Sequence, residues 1–478
     1  MSIEQQAIAG LKWTGMTKLV SQALSWVITL IVVRLLAPED YGLMAITSVI
    51  ISILASVAEL GLGASIVQVA SLERHTLAKV AGVVILLNLA IGVVVLLCAP
   101  VAAVVFDDGR LTALVQVSSL NFLLSAFSTI PQSLAYRDMN FKWLAWIELF
   151  SGLLTNVSTL GLAWYGAGVW ALVAGNLLGG GLRTVLLSLG GHWVRPIFGV
   201  AGIREHLGFG GALTVGRLAW QVINQLDILI AGRVLAQDAV GVYSVSLHLA
   251  TLPMQKIMSV VNQVAFPTVA RLQTELPRLR GRLLEASRIL TFVSVPLLWG
   301  LSSIAPEFVN IILGDKWQAA VYPLQIIGLT IPLRMLSAVL WTAATALGQA
   351  KLYLLNTALA AAILSAAFLV GVQWGVDGLA SSWLVTVPCV FAVNFPRLSK
   401  ALGITFGAVV ASVYAPLTAG AAMFGAVAMT RSLTSSLDDL QRSAVLILVG
   451  AATYLALIAV LDRRVWVDFK RLMSALKT

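Results

Sequence analysis

Charge is what this sequence has least of: Asp, Glu, Lys and Arg make up 11% of its 478 residues, against 59% hydrophobic. A soluble protein of that length needs far more polar surface, so an aqueous globular fold is excluded and lipid must solvate most of the chain. Cysteine is almost absent. Cys98 and Cys389 both fall inside apolar runs, where they read as buried small hydrophobes and give no disulfide framework or thiolate metal site. The four His residues are scattered and no H-E-x-x-H occurs, so metal catalysis has no ligand set. No G-x-x-x-x-G-K-[ST] loop occurs either, which excludes power from the chain's own ATP hydrolysis. No cofactor is expected.

What the chain has instead is long hydrophobic runs, with a mean hydropathy of +0.93. Crossing about 30 Å of hydrocarbon takes roughly 20 apolar residues in a helix that satisfies its own backbone. The sequence supplies about fourteen such stretches. They lie near 15–36, 42–66, 79–106, 111–134, 143–164, 168–189, 207–232, 240–264, 288–313, 319–345, 351–373, 376–396, 406–430 and 443–461. The fold class is therefore all-α, a polytopic membrane protein. The stretches 42–66 and 79–106 are long enough to imply tilt or an interfacial end.

Ser2 to Gly10 is largely polar and runs into a full span with no small-residue cleavage site, so an uncleaved, cytoplasmic N-terminus is expected. An even number of spans returns the C-terminus to the same side. Most of the 31 Lys and Arg residues then fall on cytoplasmic segments, among them Arg74, Arg137, the Ala270–Arg288 stretch, Arg397 and the tail after Arg463. That distribution obeys the positive-inside rule. The net charge of +10 is thus topological. It implies membrane lipid as a partner, not nucleic acid, and the basic Ala270–Arg288 stretch reads as a solvated helix on anionic headgroups.

An internal repeat organises the spans. A shift of 199 residues lays Ile31–Gly42 on Ile230–Gly241 with the Arg, Leu, Ala, acidic and Gly positions coinciding, and puts Lys18 on Arg217 and Gln22 on Gln221. A shift of 209 lays Gly166 on Gly375 and Ala171 on Ala380. Both copies follow an odd-numbered span, so the repeats are parallel, related by an axis along the membrane normal. The expected organisation is two six-helix pseudosymmetric lobes, residues 1–200 and 201–400, followed by two C-terminal helices and a cytoplasmic tail over 401–478.

Polar residues inside apolar helices are the candidate functional groups. Arg217, Gln221, Asn224 and Gln225 fall at i, i+4, i+7 and i+8, one face of helix 7, with Asp227 a turn beyond Asn224. Lys18, Gln22 and Ser25 make the matching stripe on helix 1. Glu59, Glu148, Lys256, Asn262, Gln263 and Arg334 extend the set. Ionisable groups at membrane depth mark a pathway or coupling site unless they are buried ion pairs or snorkel from helix ends. Trp13, Trp143, Trp164, Trp170, Trp193, Trp317 and Trp466 lie near span ends and predict an aromatic belt.

Arg34–Gly42, Glu59–Gly63, Trp170–Gly175, Gln225–Arg233 and Gly314–Ala320 resemble the polysaccharide transporter family of oligosaccharide flippases, within the multidrug/oligosaccharidyl-lipid/polysaccharide exporter superfamily. Within it the likeness is to exopolysaccharide exporters of the colanic-acid or succinoglycan type. The resemblance covers nearly the whole chain. It implies two lobes around a cavity, alternating access, and export of an undecaprenyl-diphosphate-linked oligosaccharide across the plasma (inner) membrane. A polysaccharide polymerase and a chain-length regulator would be the protein partners. Lys18, Gln22, Arg217, Gln221, Asn224, Gln225, Lys256 and Arg334 would then bind substrate, the cations attracting a diphosphate or acidic sugar. Glu59 or Asp227 would carry a coupling H+ or Na+. A multidrug antiporter of the same superfamily is the alternative and needs a tight acidic site in the N-lobe. A membrane glycosyltransferase is disfavoured because the expected outer loops are too short for a catalytic domain.

Overall fold

The computed structural model describes residues 24–58, 66, 73–190, 194–199, 218, 221–271, 275–347 and 349–462. Among these every regular element is a helix. In order they are α1 Leu24–Leu35, α2 Pro38–Ala58, α3 Arg74–Phe106, α4 Arg110–Ser118, α5 Leu120–Arg137, α6 Phe141–Trp164, α7 Val169–Leu189 and α8 Leu226–Val234. There follow α9 Gln237–Arg271, α10 Leu276–Ser303, α11 Ala305–Phe308, α12 Val321–Ala346, α13 Ala350–Gly371, α14 Gly375–Leu402, α15 Phe406–Leu433 and α16 Asp439–Leu461. Each of the expected spans coincides with at least part of one of these helices. Nine helical stretches among the described residues are long and apolar enough to cross a membrane.

The chain divides into two compact units, Met1–Gly241 and Val242–Thr478. In the first, α6 lies along α7, α5 along α3 and α7, and the short α8 against α2 and α3. In the second, α12 packs on α14 and α10, α13 on α14, and the terminal pair α15–α16 on α10. Tyr454 on α16 donates its hydroxyl to the Phe292 carbonyl at 2.9 Å, and Arg431 on α15 grips the buried Glu307 carboxylate at 2.8 and 2.9 Å. The two C-terminal helices are thereby fixed to the second unit. Prolines stand inside α3, α5, α10, α12, α14 and α15. Membrane helices accept them because neighbouring helices and hydroxyl side chains satisfy the freed backbone groups.

The motif around the first repeat has structural duties. Asp40 accepts the Ala37 N–H at 2.9 Å and the Val169 N–H at 2.8 Å, so one carboxylate closes the start of α2 and caps α7. Glu39 pairs with Arg110 at 2.7 Å, and Arg110 also holds Asp108 at 2.7 Å. Hydrogen bonding from that guanidinium keeps the Asp108 carboxyl below the usual range. Gly42 and its repeat partner Gly241 meet each other. A Cβ on Gly42 would overlap the Gln237 carbonyl, and one on Gly241 the Pro38 carbonyl, so the first turns of α2 and α9 cross backbone to backbone.

The second repeat signal is also structural. Gly166 and Gly375 both adopt positive φ, at 79° and 72°, in the corners between α6 and α7 and between α13 and α14. Ala171 and Ala380, five residues on, are both fully buried. In α6–α7 the small faces of Gly175 and Gly179 receive Thr159 and Thr155, the close approach by which membrane helices associate.

Two expectations are corrected. Cys98 and Cys389 are exposed, not buried, since a helix surface facing lipid exerts no drive to bury a small apolar side chain. Trp317, expected in the belt, is fully buried within the 3₁₀ turn Asp315–Ala320, which Gly314 at φ 89° joins to the π turn Val309–Leu313.

Candidate functional site

Polar groups inside an apolar unit are costly unless satisfied, so their surroundings show where chemistry is placed. In the first unit the seventh span is interrupted. Residues 221–223 are helical, Asn224 and Gln225 form a turn, and α8 begins afresh at Leu226. The unbroken stripe expected from Arg217 to Gln225 is corrected by this turn, which takes Asn224 and Gln225 off the helical ladder. Asn competes for backbone hydrogen bonds in non-helical conformations, and Asp227 in the first turn of α8 favours a new helix N-terminus.

Gln221 stays on its helical turn and donates from Nε2 to Ser52 Oγ on α2 at 3.0 Å, and Ser52 in turn donates to the Val49 carbonyl at 3.0 Å. Asp227 is 2% exposed and accepts the Ile228 N–H at 2.8 Å. A buried carboxylate beside an interrupted helix is the arrangement by which transporters hold an ion or a polar substrate group at membrane depth.

In the second unit Arg334 on α12 lies with its guanidinium carbon 4.1 Å from the centroid of the Trp383 ring on α14. Trp383 donates its Nε1–H to the Tyr243 hydroxyl on α9 at 2.9 Å, and Phe368 meets it edge-on at 5.0 Å. Three helices thus lock the ring on which the cation rests. A desolvated cation–π contact contributes about 2 kcal/mol and holds the guanidinium on the ring. Lys256 is exposed on α9. At the end of this unit that holds the α13–α14 corner, Gln318, Tyr322, Trp374 and Asp377 line an open cleft of about 370 Å³.

The sequence-derived candidates therefore divide. Gln221, Asn224, Gln225 and Asp227 come together on one broken segment, Arg334 sits on an aromatic platform, and Glu148 is exposed on α6. Lys18, Gln22, Glu59 and Arg217 lie outside the described residues, as do the side chains of Asn262 and Gln263. Sequence reasoning missed Ser52, Tyr243 and Trp383. Trp383 had a readable signal, a Trp well inside a span and away from the belt positions.

A family model described as polysaccharide biosynthesis protein matches residues 31–322. The lipopolysaccharide biosynthesis protein WzxC of Escherichia coli is 24% identical, covering 68% of this chain and 67% of that one. The teichuronic acid biosynthesis protein TuaB of Bacillus subtilis is 24% identical over 96% of both chains, and the succinoglycan biosynthesis transport protein ExoT of Rhizobium meliloti is 25% identical over 90% of this chain and 94% of that one. Among solved structures, the lipid II flippase MurJ in an inward closed conformation shares the fold with a TM-score of 0.71 at 14% identity, covering 93% of this chain and 98% of that one. An inward-facing multidrug resistance MATE family transporter of the MOP superfamily follows at TM-score 0.61 and 16% identity, covering 80% and 96%. With a family model matching residues 31–322, more than half of its length, the chain belongs to the polysaccharide biosynthesis protein family.

Proposed function

We propose that this chain flips an undecaprenyl-diphosphate-linked oligosaccharide repeat unit across the plasma (inner) membrane by alternating access, for exopolysaccharide or lipopolysaccharide biosynthesis. The observation that carries the reading is Arg334 fixed on Trp383 within an apolar unit, a cation prepared for a diphosphate or an acidic sugar. Gln221, Asn224 and Gln225 offer the amide groups that sugar hydroxyls need, and Arg217, Lys18, Gln22 and Lys256 extend the set. Asp227, buried at the helix break, is the group to carry a coupling H+ or Na+, with Glu59 as its companion. In this reading both termini are cytoplasmic, which the basic residues at one end of the second unit support. A polymerase and a chain-length regulator are the protein partners of such a step.

Lipid analysis of a deletion strain tests this. Lipid-linked repeat units should accumulate on the cytoplasmic face, and the wild-type gene should clear them. Arg334→Gln and Asp227→Asn should each leave accumulation above the wild-type level with the protein still in the membrane. A strain that accumulates no lipid-linked sugar and becomes drug-sensitive instead would replace this reading with a multidrug antiporter.

A further inference from the structure

The second unit carries opposite charge at its two ends. One end holds Glu307, Asp315, Asp377, Asp438 and Asp439, and the other holds Arg278, Arg280, Arg282, Arg288, Arg397 and Lys400. Among the described residues, five of its arginines are matched to carboxylates. Arg278 pairs with Glu275 at 2.6 Å, Arg282 with Glu285 at 2.8 Å and Arg288 with Asp462 at 3.8 Å. At the acidic end Arg431 pairs with Glu307 and Arg442 with Asp439.

Arg280 and Arg397 are different. Arg397 on α14 donates from Nε to Asn356 Oδ1 at 2.8 Å and from Nη2 to Asn394 Oδ1 at 3.0 Å. Asn394 in turn donates to the Asn356 carbonyl at 3.3 Å, and both asparagines are 1% exposed. Arg280, reaching from α10, donates from Nε to the Leu402 carbonyl at 3.4 Å. Its guanidinium lies so close over Gly403, at φ 65°, that a Cβ there would overlap it. Among the described residues neither has a carboxylate within ion-pairing distance. Neutral oxygens orient a guanidinium without cancelling its charge, and a fixed planar fork suits a phosphate oxygen pair.

Both side chains contact residues at or near the end of α14, on the basic end, where the positive-inside rule sets the cytoplasmic leaflet with its anionic lipids. We propose that Arg280 and Arg397 form a binding site for the phosphate of an anionic phospholipid headgroup, with Asn356 and Asn394 holding the Arg397 fork in place. Its occupant is a resident lipid, not the glycan lipid of the proposed function.

The test uses the full chain, purified in detergent, with dioleoylphosphatidylglycerol added and bound lipid counted by native mass spectrometry. Dioleoylphosphatidylcholine, with the same acyl chains, is the comparison. Phosphatidylglycerol should bind in preference, and Arg280→Gln and Arg397→Gln should each weaken it about fivefold while leaving phosphatidylcholine unchanged. Arg397→Lys, which keeps the charge and loses the fork, should recover part of the loss. Arg278→Gln removes the same charge from the same end and should change binding less than about twofold, its charge being already matched by Glu275. Equal weakening by Arg278→Gln would overturn the proposal in favour of diffuse charge, as would unchanged binding in Arg280→Gln, an exposed position at which folding is not at risk. Displacement of the lipid by millimolar inorganic phosphate would overturn the lipid assignment in favour of a free-phosphate site.

Discussion

The α6–α7 and α13–α14 hairpins descend from the same segment of the repeat and have diverged in an instructive way. Their corners match. Gly166 and Gly375 take the same positive φ, and Ala171 and Ala380 are equally buried. Their contents do not. The first hairpin is closed by Thr155 and Thr159 against Gly179 and Gly175, and the second holds Trp383 and Phe368 around Arg334, with Asn356, Asn394 and Arg397 toward its open end. Backbone geometry tolerates few residues, so it persists in both copies. Side chains on the hairpins are free to change, and the two copies present different ones.

The comparison is broken most sharply at the glycines that both copies share. Gly42→Ala and Gly241→Ala should each cost about 3 kcal/mol, because the added methyl meets backbone that cannot move aside. Thermal unfolding of the purified protein would show it, and an unchanged transition would mean the two first turns do not cross this closely.

The small-residue face of the first hairpin comes next. Gly179→Ala should destabilise by about 2 kcal/mol against Thr155 and the Ser151 carbonyl, whereas Gly152→Ala on α6, with open space around it, should be neutral or stabilising. Thr155→Ala should relieve part of the Gly179→Ala defect, a coupling that a double-mutant cycle measures.

In the second hairpin Trp383→Phe removes the Tyr243 hydrogen bond and weakens the support of Arg334, at a cost of about 1 to 2 kcal/mol. Transport should fall further than in Phe368→Leu, which keeps that hydrogen bond and the cation–π contact. Equal loss in both variants would reduce the cluster to packing.

The smallest effect belongs to Asp108. Its carboxyl is held below its ordinary value by Arg110, so its contribution is present above the normal carboxylate pKa and is lost as pH falls through the lowered one. Asp108→Asn should cost less than about 1 kcal/mol at neutral pH, since Arg110 is half exposed, and the difference from wild type should vanish in acid.

Helix positions were legible because a span is a local matter: apolar length alone satisfies the bilayer, and the observed helices follow those runs. The repeat was legible because the residues it preserved, Gly42, Gly241, Gly166 and Gly375, are set by backbone geometry. Less of the candidate site could be read. Asp227 and Arg334 declare themselves as charges in apolar surroundings, but the helix break at Asn224 depends on a local competition that helical periodicity hides. The environment of Arg334 is built from α9, α12, α13 and α14, far apart in sequence, and no spacing rule joins Tyr243 to Trp383.

The sequence by itself determined that this is an all-helical membrane protein, since hydropathy acts along the chain. Tertiary structure alone decided which charges are neutralised. Arg431 has the Glu307 carboxylate of another helix, and among the described residues Arg280 and Arg397 have only neutral oxygens, because pairing is a matter of a few ångströms between helices and not of composition.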